Sequence, residues 1–593
     1  MLFFSLISLI MCKALINDKL SEDFYHRISA IILLFSGILT FNTIFNIGSL
    51  SGIGLYGGLF NITTISQILE SFLLIIGSII LISWPKQEEL IKEIVNPITL
   101  SNQSYASKEK DKSYLYSLVN SILLENYNKI SSEGLLSSNI KNKDNCYSIL
   151  NNNKFLSYSI NYSIIVLFSS LGASLLISCS DLISMYLSIE LQSFSLYVLS
   201  TLYRNSESST SAGLKYFLLG GLASCLILFG AGLLYAYTGL TNFESIYSLL
   251  SIYYIEINNN VIDMIYPFSS KELSVSIFLG LIFIFIGFLI KISAAPFHNW
   301  SPDVYDETPT IVTIWLTIIP KISILILLLD LYVHIDIIDQ LTLFSKLNTF
   351  KLNIDEVIKY LLLITSLFSL IIGSVVGLAQ NRIKRLLAYS TISHIGFILL
   401  ALAIHTKQSI DSFIFYIIQY IITNLNIFLI IIAFSYLINK SINNKDIRYI
   451  SEFKGQFYSN PLISLSFSIC LFSMAGIPPL IGFFSKQYVL YSAIKGGYYF
   501  IAFIAIFVSV ISASYYLKII KTFFINVLSN SNTNKEVINT NTNTNTNSNN
   551  DEILSNFHSF LISTLTLSIL FFIFKPTLIL NTTQLLSISL FNH

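Results

Sequence analysis

The sequence predicts an all-α polytopic membrane protein with about fourteen transmembrane helices. Of its 593 residues, 53% are hydrophobic and only 11% are charged, whereas a soluble domain carries about 25% charged residues. Uncharged runs such as Ser274–Ile290 and Tyr498–Tyr516, together with their flanks, reach the roughly 20 residues that a helix needs to cross a bilayer. These runs are too long for barrel strands and lack strict apolar–polar alternation, so we predict helices.

Hydropathy divides the chain into four parts. Residues 1–158 contain three N-terminal spans and a polar insertion, and residues 526–593 contain an Asn/Thr-rich loop, predicted to be disordered, and the last helix. Residues 159–333 and 357–525 contain five spans each, which we predict to be two repeats. The predicted spans are 2–17, 26–46, 63–84, 160–178, 180–202, 211–239, 273–294, 309–333, 357–380, 386–404, 410–439, 460–483, 496–517 and 554–580.

The two five-helix repeats share a break beside a lysine. Lys291 precedes Pro296 in the first repeat, and Lys486 follows Pro479 in the second. Because each repeat has an odd number of helices, we predict that the second is inverted relative to the first. Transporters built from inverted repeats place their broken helices and polar groups near the middle of the bilayer. The alternative is that the two Lys–Pro pairs coincide by chance.

The distribution of charge predicts the orientation. The formal net charge is only +1, so no electrostatic argument favours nucleic acid as a partner. If fourteen helices cross the membrane in succession, most loop lysines and arginines, including Arg382 and Lys384, lie on one side, which we call the basic face. The positive-inside bias places this face in the cytoplasm or the matrix, and both termini on the opposite side. An excess of Ile, Asn, Tyr, Phe and Lys is typical of an AT-rich, organelle-encoded gene.

Four ionisable residues, three inside predicted spans and one just after the span 460–483, are candidates for chemistry. They are Glu190, Lys291, Lys321 and Lys486. A charge within a span costs about 2.5–3.5 kcal/mol on insertion scales, so such residues are usually paired and functional. We predict that these four form a chain of exchangeable protonation sites, a proton relay. Snorkelling to an interface is the alternative for the lysines, and a purely structural ion pair is the alternative for Glu190.

Two further residues are weaker candidates for the relay. Lys215 begins the sixth span, where snorkelling is the stronger interpretation. His394, near the start of the tenth span, suits a relay role and a hydrogen-bonded structural role equally. Asp303, Asp306 and Glu307 are predicted to lie in a loop after Lys291, either feeding protons to the lysines or capping the eighth helix in solvent.

The sequence predicts no cofactor site. The five cysteines are scattered without a C-x-x-C pair, which argues against zinc and iron–sulfur clusters. Gly52, Gly54 and Gly57 satisfy G-x-G-x-x-G, but the motif has no preceding strand and no acidic residue at the required distance, so we discount NADH binding.

Six stretches resemble the antiporter-like membrane subunits of respiratory complex I. They are ELQSFSLYVL (190–199), GLKYFLLGG (213–221), KISAAPFHNWSPDVY (291–305), PTIVT (309–313), KRLLAYSTISHIG (384–396) and AGIPPLIGFFSK (475–486). The resemblance implies fourteen helices with two inverted five-helix repeats. It also implies that Glu190 pairs with Lys291, that Lys321 connects two half-channels and that Lys486 passes the proton on.

The same resemblance implies the setting of the chain. It would lie in the mitochondrial inner membrane, with both termini in the intermembrane space, among other membrane-arm subunits and phospholipids such as cardiolipin. FMN, iron–sulfur clusters, NADH and ubiquinone are expected in partner subunits. Two alternatives stay open: a cation/proton antiporter subunit without redox partners, and a structural spacer in which the buried charges only hold helices together.

Overall fold

The structure is a computed structural model. The residues that it describes are 1–16, 22–44, 52–82, 159–203, 206–249, 270–342, 354–438, 446–525 and 556–591. Two sequence-based predictions, the polar insertion before residue 159 and the disordered Asn/Thr-rich loop at 526–552, lie outside these ranges.

The described residues are overwhelmingly α-helical, as the hydropathy predicts. Ten helices are long and apolar enough to cross a membrane, and five shorter apolar helices accompany them in the same part of the chain. The exact count of fourteen spans and the inverted repeats stay predictions. The helices are α1 (Leu2–Ile16), α2 (Glu22–Thr43), α3 (Thr64–Ile82), α4 (Ser159–Ile177), α5 (Leu182–Ser200), α6 (Glu207–Thr238), α7 (Ser270–Ile292), α8 (Trp300–Glu307), α9 (Thr310–Thr342), α10 (Ile354–Leu378), α11 (Ile383–Ile404), α12 (Lys407–Ile438), α13 (Pro461–Ala475), α14 (Ile481–Lys495), α15 (Tyr499–Phe524), α16 (Asn556–Phe571) and α17 (Thr577–Phe591).

A break follows Lys291, and a short helix follows the break. Helix α7 ends at Ile292, Ser293 takes a left-handed conformation with φ of 68°, and α8 begins at Trp300. The Trp300 indole N–H donates to the Ile290 carbonyl oxygen at 2.8 Å, which fastens α8 to the end of α7. The prediction of a loop for Asp303, Asp306 and Glu307 was therefore wrong, because these residues lie on α8.

The second break separates α13 from α14. Helix α13 ends at Ala475, and the next residue, Gly476, has a φ of 88°, a conformation that favours glycine. Pro478 and Pro479 follow, and neither has the backbone N–H that would continue the helix. Lys486 lies on α14, one turn and a half after the break.

The C-terminal region differs from the predicted single span at 554–580. Helix α16 ends at Phe571, and α17 begins at Thr577. Pro576 accounts for the interruption, because proline lacks a donor N–H and disfavours helical geometry at the residue before it, Lys575. Lys575 is indeed non-helical, with φ of −144° and ψ of 64°.

A small β-hairpin stands at the G-x-G-x-x-G motif. Strand β1 (Ile53–Leu55) pairs antiparallel with β2 (Phe60–Ile62), and the turn between them contains Gly57 with φ of 70°. The Asn61 N–H donates to the Ser178 carbonyl oxygen, joining the hairpin to the connection between α4 and α5. The glycines thus serve a tight turn.

Candidate functional site

Glu190 and Lys291 form an ion pair across helices α5 and α7. The Lys291 Nζ lies 3.5 Å from Glu190 Oε1, and the two side chains are only 7% and 13% exposed. The Ser193 hydroxyl lies 3.5 Å from the other carboxylate oxygen of Glu190. The predicted contact is therefore present. Burial of Lys291 within the chain also argues against snorkelling, since a snorkelling side chain keeps its charged end in water.

A cavity adjoins Lys291. Its water-accessible volume is about 20 Å³, which is enough to hold a water molecule. One wall is aromatic: Tyr216 stacks on Trp300 with ring centroids 4.9 Å apart, and Tyr197 contacts Tyr216 edge to face at 4.8 Å. Pro320 lines the cavity too, so the space extends from the ion pair toward α9.

Lys321 lies at the middle of the buried helix α9 and is 2% exposed. Its Nζ donates to the Thr391 hydroxyl at 3.1 Å and lies 5.3 Å from the ring centre of Tyr305. Pro320, inside the same helix, lacks the N–H that would donate to the Leu316 carbonyl oxygen. Among the described residues, no carboxylate forms an ion pair with Lys321. Its ammonium instead contacts the Thr391 hydroxyl and lies over the Tyr305 ring.

His394 is enclosed between tyrosine hydroxyls. Its Nδ1 lies 2.8 Å from the Tyr416 hydroxyl, and its Nε2 lies 3.4 Å from that of Tyr516. The ring is 3% exposed and lies within electrostatic range of both Lys486 and Lys321. These contacts suit a structural role, and the position between two lysines suits a relay role, so both interpretations of His394 stay open.

Lys486 is held at the broken end of a helix. Its Nζ donates to the carbonyl oxygens of Met474 and Ala475, each at 2.9 Å. These are the last carbonyls of α13, where the helix dipole concentrates negative charge and favours a cation. The Phe397 ring lies 5.7 Å from Nζ. Lys486 is therefore buried in the interior, and the snorkelling alternative does not describe it.

Sequence reasoning missed the polar side chains on α12. The Gln419 side-chain oxygen accepts from the Ser485 hydroxyl at 3.3 Å, and Ser485 precedes Lys486. The Asn424 side chain donates to the Tyr420 hydroxyl at 3.3 Å. Both amides are buried. Their signal was the group of amides Gln419, Asn424 and Asn426 in a long apolar helix, which is unusual because unsatisfied polar groups are costly there.

Other charged groups were also overlooked. Lys384 and Asp446 pair at 2.8 Å on the basic face, with side chains 3% and 33% exposed. Burial alone would raise the pKa of Asp446, but the Lys384 charge and the hydrogen bonds to the carboxylate outweigh it, so the pKa lies below its ordinary value. Glu70 on α3 and Asp330 on α9 are further carboxyl groups inside predicted spans.

Lys215 does not join the other candidates. It is 44% exposed and pairs with Asp303 at 3.1 Å, while Arg385 approaches the same carboxylate at 3.4 Å. Nearby, Arg382 and Asp306 form a further ion pair at 2.7 Å. The structure therefore places Lys215 in a surface ion-pair network, in line with the snorkelling interpretation.

A Lys215→Met variant is expected to change function little. Exposed ion pairs contribute about 0.2–1 kcal/mol, so assembly and proton translocation should stay within about twofold of the wild-type values. The measurement is the initial rate of NADH-driven proton translocation in proteoliposomes, normalised to complex content. A tenfold loss would return Lys215 to the relay.

With this geometry in place, comparison with known proteins identifies the family. A family described as "NADH:quinone oxidoreductase/Mrp antiporter, TM" matches residues 179–512. The chain is 43% identical, over its full length and that of its relative, to NADH-ubiquinone oxidoreductase chain 2 of Rhizopus oryzae. The chain belongs to the NADH-ubiquinone oxidoreductase chain 2 family. It is therefore an antiporter-like membrane subunit of complex I, the H⁺-translocating NADH–ubiquinone oxidoreductase.

A further relative and two solved structures are also similar to this chain. Chain 2 of Marchantia polymorpha is 38% identical over 61% of this chain and 66% of its own length. A chain of respiratory complex I from Thermus thermophilus shares the fold, with a TM-score of 0.62, 20% identity and coverage of 98% and 97% of the two chains. A chain of the Mrp complex from Dietzia shares it as well, with a TM-score of 0.67, 15% identity and coverage of 100% and 96%.

Proposed function

We propose that this complex I subunit translocates protons through Glu190, Lys291, Lys321 and Lys486, driven by NADH oxidation and ubiquinone reduction in other subunits. The observation that supports the proposal is the contrast among the three buried lysines. Lys291 faces a carboxylate, Lys321 faces a hydroxyl, and Lys486 faces a pair of helix-terminal carbonyls. Three ammonium sites with different neighbours can hold a proton with different affinities, which a directional relay requires.

The first transfer joins Lys291 to Lys321. When the Glu190–Lys291 contact loosens, the Lys291 ammonium loses its counter-charge and its proton becomes easier to remove. A water in the adjoining cavity, which Lys291 and Pro320 both line, would carry the proton toward Lys321. Lys291 is then neutral, and Lys321 carries the charge until the next transfer.

The second transfer joins Lys321 to Lys486 along α11. Thr391 contacts Lys321 and Phe397 contacts Lys486, and six residues of helix separate these contacts by about 9 Å. His394 lies between them on the same helix. Its ring, with Tyr416 and Tyr516 on its two nitrogens, would pass the proton or align waters that do. Lys486 would release the proton to the side opposite the basic face.

The setting of the subunit is part of the proposal. We place it in the mitochondrial inner membrane, with the basic face toward the matrix and both termini in the intermembrane space. Phospholipids such as cardiolipin would contact the basic face, because anionic head groups pair with lysine and arginine at the membrane surface. FMN, the iron–sulfur clusters, NADH and ubiquinone would all bind in partner subunits. The division into repeats 159–333 and 357–525 belongs to the same proposal.

A second candidate function is cation/proton antiport without redox partners. The fold shared with the Mrp chain favours it. Mass spectrometry of the detergent-solubilised native particle, with NADH-driven quinone reduction measured on the same sample, separates the two. We expect flavin- and cluster-bearing subunits together with quinone reductase activity. A particle without them that exchanges cations for protons in liposomes would replace our proposal with the antiporter.

A further inference from the structure

We propose that the ion pair of Lys384 with Asp446 positions Lys321 against Thr391, because it fixes the N-terminal ends of α9 and α11, the helices that carry Lys321 and Thr391. This inference rests on the proposed function, because it assigns a positioning role to residues outside the relay. The four residues lie on three segments: Lys321 on α9, Lys384 and Thr391 on α11, and Asp446 on the connection that follows α12.

The Asp446 carboxylate binds α9 and α11 together. One oxygen, Oδ2, accepts from Lys384 Nζ at 2.8 Å and from the Thr310 backbone N–H at 3.1 Å. The other, Oδ1, accepts from the Thr310 hydroxyl at 3.2 Å. Lys384 donates also to the Thr308 carbonyl oxygen at 2.9 Å. Asp446 therefore caps the N-terminus of α9, where a negative charge is favourable, and holds the first turn of α11 beside it.

This link matters because the two helices pack little against each other directly. Helix α9 packs mainly against α12, α7 and α3, whereas α11 packs mainly against α10, α8, α12 and α14. The Lys321–Thr391 hydrogen bond is thus a contact between helices held in register at their N-terminal ends. From Thr310 to Lys321 is three turns of α9, and from Lys384 to Thr391 is two turns of α11. A shift at the N-terminal ends would therefore carry directly to the Lys321–Thr391 distance.

The ion pair is not needed merely to fasten the connection after α12 to the rest of the protein, because backbone hydrogen bonds already do so. The Ile383 N–H donates to the Arg448 carbonyl oxygen at 3.0 Å, and the Ile450 N–H donates to that of Asn381 at 3.1 Å. These bonds hold the connection to α11 without the ion pair, but they do not reach α9. What Lys384 and Asp446 add is the bond to Thr310.

The test compares variants in the assembled complex. Asp446→Asn removes the negative charge and weakens the charge-assisted hydrogen bond from Lys384. Because the proposed transfer depends on the position of Lys321, NADH-driven proton translocation per complex should fall about tenfold. Asp446→Glu keeps the carboxylate and should restore most of the rate. Arg385→Gln is the matched control, since it breaks an ion pair with Asp303 at the start of the same helix whose two side chains are 38% and 34% exposed, and it should leave the rate unchanged.

The outcomes are separable. Wild-type translocation in Asp446→Asn, or an equal loss in Arg385→Gln, would overturn the positioning role. If Asp446→Asn does not assemble, Thr310→Val, which removes only the hydroxyl bond, decides: a loss of about threefold supports the proposal, and no loss overturns it. Lys321→Met in the same preparation tests the relay itself. Full translocation in Lys321→Met rejects the proposed function. A loss in Lys321→Met together with normal translocation in Asp446→Asn rejects only the positioning role of the ion pair.

Discussion

Replacing Lys486 with methionine is expected to abolish proton translocation by the assembled complex, with a loss greater than about tenfold. Methionine fills a similar volume but cannot carry a proton. The carbonyl oxygens of Met474 and Ala475, which accept from the ammonium, would then lose their partner inside the protein. The measurement is the initial rate of NADH-driven proton translocation in proteoliposomes, normalised to complex content.

A Lys486→Arg variant separates the relay from the structural spacer. Arginine keeps a positive charge and donors for the two carbonyls, but it does not lose its proton in proteins. The relay predicts that this variant assembles and fails to translocate, whereas the spacer predicts normal translocation per complex. Lys495→Met is the matched control on the same helix. Lys495 is exposed, and its Nζ donates to the Gln408 side-chain oxygen at 3.0 Å. Normal translocation in both Lys486 variants would reject the relay.

The candidate relay residues could be selected from the sequence because a charge is unusual in or beside an apolar helix. Glu190, Lys291 and Lys321 each interrupt a predicted span, and Lys486 follows the proline break of another. The free energy of burying a charge makes such positions informative without a structure. Their partners were harder to predict. The Glu190–Lys291 contact followed from the resemblance, but the pairing of Lys486 with carbonyl oxygens depends on where α13 ends, and single residues set that end.

Polar loops conceal the residues that tertiary packing buries. Asp446 lies in a polar connection and Lys384 in a run of basic residues, so neither interrupts an apolar pattern, although Lys384 is only 3% exposed. Lys215, in contrast, begins a span and lies in water-exposed ion pairs, in line with the snorkelling interpretation. Helix α8 was missed because it has only eight residues, four of which are serine or acidic, and its position depends on the bond from Trp300 to Ile290. Composition carries no information about contacts of this kind.

The second large effect is expected from Gly482→Ala. Helix α14 approaches α13 so closely that a Cβ at Gly482 would overlap the Ser473 carbonyl oxygen. Because that oxygen belongs to the backbone, the helices must separate, at a cost of about 1–3 kcal/mol. Gly221→Ala is the matched control: Gly221 is also a glycine within an apolar helix, and a Cβ there would meet nothing within 4 Å in this chain. We expect normal translocation from Gly221→Ala and a severe loss from Gly482→Ala.

The loss should arise through Lys486. Gly482 and Lys486 are one turn apart on α14, so they face α13 together. Moving Gly482 away from Ser473 therefore moves Nζ away from Met474 and Ala475, the next two residues of α13, and the ammonium loses the helix-terminal carbonyls that stabilise it. A Gly482→Ala complex that assembles and translocates normally would show that the break can widen without consequence. The relay would then need only the lysine itself, and the close approach of the two half-helices would serve packing alone.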